Sequence, residues 1–259
     1  MSGMSVAQLS QALEGHAPPL VIDVRRREAF AKDSKTLGGA LRRDPDRVSA
    51  WARELPSAES VVVACVHGHQ VSQDVAEALN AEGRSAYFLE GGFAAWQAAG
   101  GQCDSKPEGG STRWVTRERP KIDRIACPWL IARFVDKDAE FLYVPTKEVR
   151  DVAKARNATP FDIADTHFSH KGDLCSFDAF LGHYRLSDPA LQQLAVIVRG
   201  ADTGRLELAP QAPGLVAISL GLSRNFADDH EMLAHGMVMY DALYAACGGD
   251  SNRKPIRED

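Results

Sequence analysis

The stretch that decides the fold is Val61–Leu79, VVVACVHGHQVSQDVAEAL. It begins with a short β-branched apolar run that ends at Cys65, which is typical of a strand buried on both faces of a parallel sheet. Val71, Val75 and Leu79 then recur at helical spacing. The stretch therefore predicts a strand, a tight loop and a helix, with a cysteine at the junction.

Two more apolar runs of the same kind, LVIDV (20–24) and SAYFLE (85–90), lie on either side of this stretch. Strands that alternate with helical patterns predict β-α-β units and hence a parallel sheet flanked by helices. Ligands of such sheets bind beyond the carboxyl ends of the strands. Asp23, Arg25 and Cys65 occur at those ends, so we expect the functional site there.

The pattern changes after Gly100–Thr112, GGQCDSKPEGGST, which is typical of a flexible linker. We predict an α/β domain at residues 1–104, a linker at 105–111, a mainly α-helical second domain at 112–247 and a polar tail at 248–259. The elements predicted in the second domain are helices at about 123–135, 147–156, 176–182, 189–200 and 227–246, and one strand at 140–145.

The composition excludes several classes of protein. The chain has 259 residues, 44% of them hydrophobic and 25% charged, which excludes a disordered chain. The net charge is −5 and neither domain has a basic excess, so we expect no nucleic-acid partner. Neither a signal peptide nor a membrane-spanning run is evident. Five cysteines without a CxxC pair favour a reducing compartment, and we predict a cytoplasmic protein without a membrane partner.

The position of Cys65 suggests nucleophilic chemistry. A tight loop between a strand and a helix directs backbone N–H groups into its cradle, and the helix start adds partial positive charge. Both effects favour the thiolate form of Cys65 and would stabilise a bound anion such as thiosulfate or a persulfide. From the residue type alone, a packed and inert cysteine is the alternative.

Three segments, VIDVRRREAF, CVHGHQVS and YFLEGGFAAWQAAG, resemble in order the motifs of the rhodanese (sulfurtransferase) family, over about residues 5–101. The resemblance implies that Cys65 accepts sulfane sulfur and that the loop after it binds the substrate. Asp23 would brace the site as structural support and Arg25 would contact substrate, with a purely structural ion pair as the alternative. The predicted loop residues are Val66, His67, Gly68, His69, Gln70 and Val71.

Sulfur transfer of this kind implies a small donor such as thiosulfate, a thiol acceptor and no required cofactor. The chain departs from the family in two places. SKTLGGALRRD replaces the usual His-x-Pro-Gly-Ala stretch, and the loop after Cys65 has histidines but no arginine. His67 or His69 could act as donors or be merely exposed. The related Cys-x5-Arg phosphatases are disfavoured because the sixth residue after Cys65 is Val71.

The second domain resembles the C-terminal domain of chromate-resistance ChrB proteins over about residues 112–247. The resemblance is carried by segments that include RWVTRERPKIDRIACPWLIARFVDKDAEFLYVP and DDHEMLAHGMVMYDALY. It implies a link to chromate resistance. The regulators of this family have a different N-terminal region, so we do not extend DNA binding to this chain.

Within this domain, imidazole, carboxylate and thiolate side chains suit zinc or iron. The candidate ligands are His167, His170, Cys175, Asp202 and Asp228. Arg117 and Arg124, near a predicted helix start, are candidates for binding an oxyanion such as chromate. The alternative for this basic stretch is pairing with nearby carboxylates. Pro128 suits a first helical position, which would activate the thiol of Cys127 unless that thiol is simply packed.

We therefore predict a sulfurtransferase that forms a cysteine persulfide on Cys65 and acts in chromate resistance or oxidative stress. Two alternatives assign the function to the second domain: an oxyanion-binding or chromate-sensing protein, and a metal-dependent enzyme.

Overall fold

A computed structural model of the chain describes residues 2–56, 58–106 and 110–249. The chain divides into two units, the first made mainly of residues 1–111 and the second mainly of residues 112–259. Among the described residues, no helix has both the length and the apolar character needed to cross a membrane.

The first unit is built on a parallel sheet of five strands in the order β1-β6-β5-β2-β4, and a separate antiparallel pair joins β3 to β7. This confirms the predicted fold class. Its strands are β1 (Gly3–Met4), β2 (Leu20–Asp23), β3 (Lys35–Leu37), β4 (Leu41–Arg42), β5 (Val61–Ala64), β6 (Ala86–Leu89) and β7 (Cys103–Ser105). Its helices are α1 (Val6–Leu13), α2 (Arg27–Lys32), α3 (Val48–Trp51), α4 (Gln70–Ala81) and α5 (Gly92–Ala98), with 3₁₀ turns at Pro45–Arg47 and Ala52–Glu54.

The two central strands explain why the apolar runs are unbroken. Every residue of β2 and of β5 is buried, because helices cover both faces of a parallel sheet. On α4, Val75 and Leu79 are buried, as the helical spacing predicted. Fully burying each such side chain contributes about 1.5–3 kcal/mol, so this core fixes β5 and α4, the two elements that flank Cys65.

The structure differs from the prediction at the start of the linker. Ser105 pairs with Lys35 in the antiparallel ladder. Lys106 is fully buried, with its Nζ 2.6 Å from the carbonyl oxygen of Asp33 and 4.5 Å from the ring centroid of Phe30. Ser105 and Lys106 therefore belong to the first unit, held there by strand pairing and a cation–π contact, although their polar character is typical of a linker. The rest of the predicted linker falls partly on 107–109, and most of the predicted tail on 250–259; both ranges lie outside the described residues.

The second unit is mainly helical, as predicted, and contains a parallel sheet in the order β10-β8-β9. Its strands are β8 (Arg113–Arg117), β9 (Glu140–Val144) and β10 (Thr159–Pro160). Its helices are α6 (Asp123–Leu130), α7 (Val149–Arg156), α8 (Ser176–His183), α9 (Pro189–Asp202), α10 (Ala212–Asn225) and α11 (Asp229–Ala246), with 3₁₀ turns at Thr146–Glu148 and Leu206–Leu208.

Two strands, β8 and β10, and one helix, α10, are absent from the sequence prediction. The strand β8 begins and ends with an arginine, so its sequence has the character of a basic segment. The helix α10 buries only Ala212, Leu215 and Ser219, so its apolar periodicity is weak.

Pro128 does not begin a helix. It lies inside α6, which begins five residues earlier at Asp123. A proline has no N–H to donate to the carbonyl four residues before it, here that of Arg124. The hydroxyl of Tyr143 on β9 donates to this carbonyl at 3.2 Å. A π-helical turn, Ile131–Val135, follows α6. A side chain from the sheet thus supplies the donor that Pro128 lacks.

Candidate functional site

The thiol of Cys65 lies against the first turn of α4. Cys65 follows the last residue of β5, and α4 begins at Gln70. Its Sγ is 3.2 Å from the Oγ of Ser72 and 3.9 Å from the carbonyl oxygen of His69. Only 6% of the residue is exposed. The thiol is therefore surrounded by polar groups of the helix start, although little of it reaches solvent.

The loop after Cys65 rests on the start of α5. Gly68 has φ +69° and Gly92 has φ +58°, so both adopt the left-handed conformation that glycine favours. A Cβ on Gly92 would lie 2.5 Å from both the carbonyl oxygen of Cys65 and the backbone nitrogen of Gly68. The N–H of Phe93 donates to the carbonyl of Cys65 at 2.9 Å. This approach of two backbones requires glycine at position 92.

The backbone donors of this loop are available to a ligand. Within the part of the chain that the structure describes, the N–H groups of residues 66–71 donate to no protein acceptor. The last two of them belong to the first turn of α4, where helical N–H groups have no partner within the helix. Unpaired donors beside a thiol are what an anion cradle requires.

The side chains of the loop contribute less than its backbone. His67 and His69 are exposed, with ring centroids 5.9 Å apart. Gln70, another predicted substrate-binding residue, turns away and donates to the carboxylate of Asp74 at 2.5 Å. His67, His69 and Gln70 are all exposed, and of the three only Gln70 has its side chain engaged by a neighbouring carboxylate.

Asp23 and Arg25 form a buried ion pair. The Nη2 of Arg25 lies 2.6 Å from the Oδ2 of Asp23, and the two side chains are 1% and 0% exposed. The other nitrogens of Arg25 are also engaged: Nε donates to Asp23 and Nη1 to Asp33. The guanidinium also lies 4.0 Å from the ring centroid of Phe93. The substrate-binding role predicted for Arg25 is therefore corrected to a bracing role, because its donors are used within the protein.

The predicted oxyanion ligands of the second unit share one carboxylate. The Nη2 of Arg117 is 2.5 Å from the Oδ2 of Asp162, and the Nε of Arg124 is 3.2 Å from the same oxygen. The alternative interpretation, in which the basic stretch pairs with carboxylates, describes the structure. The Nε of Arg117 has no hydrogen-bond partner among the described residues, so this pairing uses only part of its guanidinium.

The same carboxylate belongs to a second polar group, which we call the His170 cluster: Asp123, Asp162, His170 and Asp202. The Nε2 of His170 is 3.1 Å from Asp202, 3.4 Å from Asp123 and 3.5 Å from Asp162. One ligand atom each from Asp123, Asp162 and His170 lie within 4.8 Å of one another. The structure thus brings together two of the predicted metal ligands and two carboxylates that sequence reasoning missed.

Three predicted ligands do not belong to this cluster. The ring of His167 packs edge-on against Phe168, with centroids 4.7 Å apart. Cys175 is fully buried, and burial, followed by the charge of Asp178, raises the pKa of its thiol. Asp228 caps α11 by accepting the N–H of Glu231 at 2.8 Å. The predicted ligand set is corrected accordingly, since packing and capping account for these three residues.

The carboxylates of the His170 cluster are crowded and buried. Burial, followed by the charge of Asp123, raises the pKa of Asp202 to about 7. The same two causes, in the same order, raise the pKa of Asp162. The carboxylate of Asp123, and then the charges of Asp202 and Asp162, raise the pKa of His170 to about 9 despite its partial burial. Without a cation, the cluster therefore retains protons that balance its negative charge.

Backbone strain positions Asp123. The preceding residue, Ile122, has φ +43°, which is an outlier for a β-branched side chain and costs about 1–3 kcal/mol. Two other helices hold it in place: Ser219 accepts its N–H at 3.2 Å, and the hydroxyl of Tyr240 donates to its carbonyl at 2.8 Å. Three helices thus converge on the residue that precedes Asp123.

The parallel sheet and the loop of residues 66–71 after Cys65 are those of a rhodanese-like domain, and the family model for the rhodanese-like domain matches residues 5–99. The family model for the ChrB C-terminal domain matches residues 114–247, slightly more than half of the chain. The chain belongs to the ChrB C-terminal domain family and carries a rhodanese-like domain before it. Both resemblances seen in the sequence are confirmed.

One similar protein is Protein ChrB of Cupriavidus metallidurans, 33% identical over 133 residues, which cover 51% of this chain and 40% of that protein. The chain thus spans about two-fifths of the length of this relative.

Two solved structures are similar to the first part of the chain. A rhodanese-like domain protein from Staphylococcus aureus is 27% identical and covers 37% of this chain and 91% of its own, with a TM-score of 0.34. A thiosulfate sulfurtransferase from Pseudomonas aeruginosa is 23% identical and covers 40% of this chain and 19% of its own, with a TM-score of 0.36. TM-scores this low do not define a fold, so the fold class depends on the family model and on the sheet itself.

Proposed function

We propose that the first unit is a sulfurtransferase in which Cys65 accepts sulfane sulfur from a small donor such as thiosulfate. The resulting persulfide passes its outer sulfur to a thiol acceptor. The observation that carries the proposal is a thiol at the start of α4, in a loop whose backbone donors have no protein acceptor. The second unit belongs to a family linked to chromate resistance, so we place the activity in chromate or oxidative stress.

The loading step uses the thiolate of Cys65 as the nucleophile. It attacks the sulfane sulfur of thiosulfate, the S–S bond of thiosulfate breaks, and sulfite leaves with the electron pair of that bond. The new persulfide is an anion. Free N–H groups of residues 66–71 and the positive end of α4 would stabilise it, and Ser72, 3.2 Å from the Sγ, is close enough to donate its hydroxyl proton.

In the transfer step, the sulfur of Cys65 is the leaving group and no longer the attacking group. A thiolate acceptor attacks the outer sulfur of the persulfide, the bond from that sulfur to the Sγ of Cys65 breaks, and Cys65 leaves as a thiolate. Electrons balance between the two thiols, so the cycle requires no added oxidant or reductant. His67 and His69 are exposed on the loop that follows Cys65, and the imidazole of each can offer an N–H to an anionic donor.

The test is the intact mass of the full chain after incubation with thiosulfate. We expect wild type to gain the mass of one sulfur atom, which a reducing thiol then removes, and Cys65→Ser to gain nothing. Cys103→Ser is the matched control: Cys103 is in the same unit, and burial raises the pKa of its thiol, so this variant should load like wild type. Loading that persists in Cys65→Ser, or is absent from wild type, would contradict the proposal.

A further inference from the structure

We propose that the second unit binds a divalent metal cation at the His170 cluster, with Asp123, Asp162 and His170 as ligands and Asp202 as the adjoining fourth carboxylate. This site is separate from Cys65 and from sulfur transfer. All four residues belong to the second unit, in which α6 provides Asp123 and α9 provides Asp202. The argument depends on the spacing of the ligand atoms, on one buried oxygen without a partner, and on the charge around the site.

The spacing of the atoms suits a cation. The Nε2 of His170 lies 3.1–3.5 Å from an oxygen of each of the three carboxylates. Ligands held about 2.1 Å from a metal ion are about 3.0–3.4 Å from one another in octahedral or tetrahedral arrangements. An imidazole nitrogen carries at most one proton and can donate it to one acceptor, so it cannot satisfy three carboxylates at once. A cation can contact all of them.

One oxygen of the cluster lacks a partner. Asp123 is 1% exposed, and its Oδ2 has no hydrogen-bond partner among the described residues. This is the oxygen that faces the Nε2 of His170 at 3.4 Å. A buried carboxylate oxygen without a donor or a cation is costly, because water no longer solvates its charge. His170 approaches this oxygen without completing a hydrogen bond to it, so the geometry leaves room for a cation that contacts both Asp123 and His170.

Neighbouring side chains hold Asp162 in place, and the site is open to solvent on the side of His170. Asp162 is fixed on its Oδ2 by Arg117 and Arg124 and on its Oδ1 by the hydroxyl of Ser176 at 3.1 Å. The side chain of His170 is 41% exposed, so solvent reaches the site from its side. Hydrogen bonds of this kind orient the ligands of a metal ion, and the exposed side can admit the ion and its water ligands.

Charge and ligand type indicate the kind of ion. The three carboxylates outnumber the two arginines paired with Asp162, which leaves one carboxylate charge for a cation to balance. Imidazole together with carboxylates suits Mn²⁺, Fe²⁺ or Zn²⁺ better than Ca²⁺, which prefers oxygen ligands only, or a copper(I) ion, which prefers thiolates.

The test uses the full chain, freed of metal with a chelator and titrated with Mn²⁺ while the electron paramagnetic resonance signal of free Mn²⁺ is followed. We expect one Mn²⁺ per chain, displaced by Zn²⁺. Asp123→Asn and His170→Ala should each weaken binding by more than the about 10–100-fold typical of losing a second-shell partner. Asp228→Asn is the matched control, because asparagine caps a helix as well as aspartate does and should leave binding unchanged.

A wild-type chain that binds neither Mn²⁺ nor Zn²⁺ would overturn the proposal. So would unchanged Mn²⁺ affinity in both ligand variants. Circular dichroism checks that each variant folds, and His170→Ala provides a variant at a partly exposed position if the buried Asp123→Asn does not fold. Cys65→Ser should bind Mn²⁺ like wild type, which separates this result from the fate of the sulfurtransferase proposal.

Discussion

The Oγ of Ser72 lies 3.2 Å from the Sγ of Cys65, and the same hydroxyl lies 3.1 Å from the carbonyl oxygen of His69. In the thiol form, the hydroxyl donates to the carbonyl and accepts from the S–H. When the thiol loses its proton, the hydroxyl can turn and donate to the sulfur, and a hydrogen bond to a charged acceptor is stronger than a neutral one. Ser72 is thus placed to hydrogen-bond the sulfur of Cys65 in both its neutral and its charged form.

We expect Ser72→Ala to slow sulfur loading about 10–100-fold, because a hydrogen bond to a charged group contributes about 1.5–3 kcal/mol. The measurement is the rate of mass gain with thiosulfate. Ser10→Ala, at an exposed position of α1, is the control and should load at the wild-type rate. Equal rates in the two variants would show that Ser72 does not act on the sulfur.

Gly92 packs against the backbone of Cys65, His67 and Gly68, so a side chain at position 92 should clash with this loop as well as strain its own backbone. Alanine at position 92 adds a Cβ within 2.5 Å of loop backbone atoms, whereas Gly83, at φ +83°, has nothing within 4 Å of its Cβ position. Gly83→Ala should cost only the left-handed conformation, about 1–2 kcal/mol. We expect Gly92→Ala to lower the free energy of unfolding by more and to block loading. Matching losses in urea titrations of the two variants would refute this.

Burial of the Asp23–Arg25 pair predicts a loss of stability when it is broken. We expect Arg25→Gln to lower the free energy of unfolding by about 3–5 kcal/mol, since Asp23 would remain buried without its partner. Arg26→Gln breaks an exposed ion pair with Asp46, and it should change the free energy of unfolding by about 0.5 kcal/mol or less. The folded fraction of Arg25→Gln should keep the wild-type KM for thiosulfate. A raised KM at unchanged stability would instead assign Arg25 to substrate binding.

The hydrogen bond from Tyr143 to the carbonyl of Arg124 predicts coupling to Pro128. Tyr143→Phe should cost about 0.5–1.5 kcal/mol, the usual contribution of one hydrogen bond. In a Pro128→Ala background, residue 128 regains an N–H for that carbonyl, so the same change should cost much less. A double-mutant cycle in urea measures the difference. An identical loss in both backgrounds would mean that the hydroxyl does not substitute for the missing donor.

The other cysteines predict a pattern of alkylation. Cys127 and Cys175 are fully buried, so iodoacetamide should modify them only after unfolding. Burial raises the pKa of Cys103 and Cys247, so fewer of their thiols are ionised at neutral pH and labelling should accelerate as the pH rises through and above 9.0. Mass spectrometry of the labelled peptides at several pH values measures the labelling rate of each cysteine. Fast labelling of Cys127 in the native chain would contradict its burial.

The first unit was largely predictable because its information is local. Unbroken β-branched runs need two covered faces, and Cys65 stands at the end of such a run, so the parallel sheet and the position of the thiol follow from pattern alone. The role of Ser72 was not predictable, since its contact with Cys65 depends on how the loop turns into α4.

The His170 cluster shows where sequence reasoning fails. Asp123 and Asp162 are 39 residues apart in the chain (162 minus 123) and were not predicted as ligands. Asp228 was predicted, yet it caps a helix. These carboxylates meet through contacts between elements far apart in the chain, such as those of Arg117 on β8 and Ser176 on α8 with Asp162. The sequence does contain one signal: Asp123 is an acidic residue at the start of the largely apolar stretch IACPWLIARF.

The pairing of β1 with β6 has a consequence for biosynthesis. Gly3 lies in register with Phe88, 85 residues later in the chain (88 minus 3). At about 5–20 residues per second, a ribosome makes Phe88 about 4–17 s after Gly3. By contrast, Ile22 of β2 lies in register with Leu41 of β4, only 19 residues later (41 minus 22). β1 is therefore made long before the strand with which it pairs. Cys65 is also made before β6, the strand that pairs with both β5 and β1.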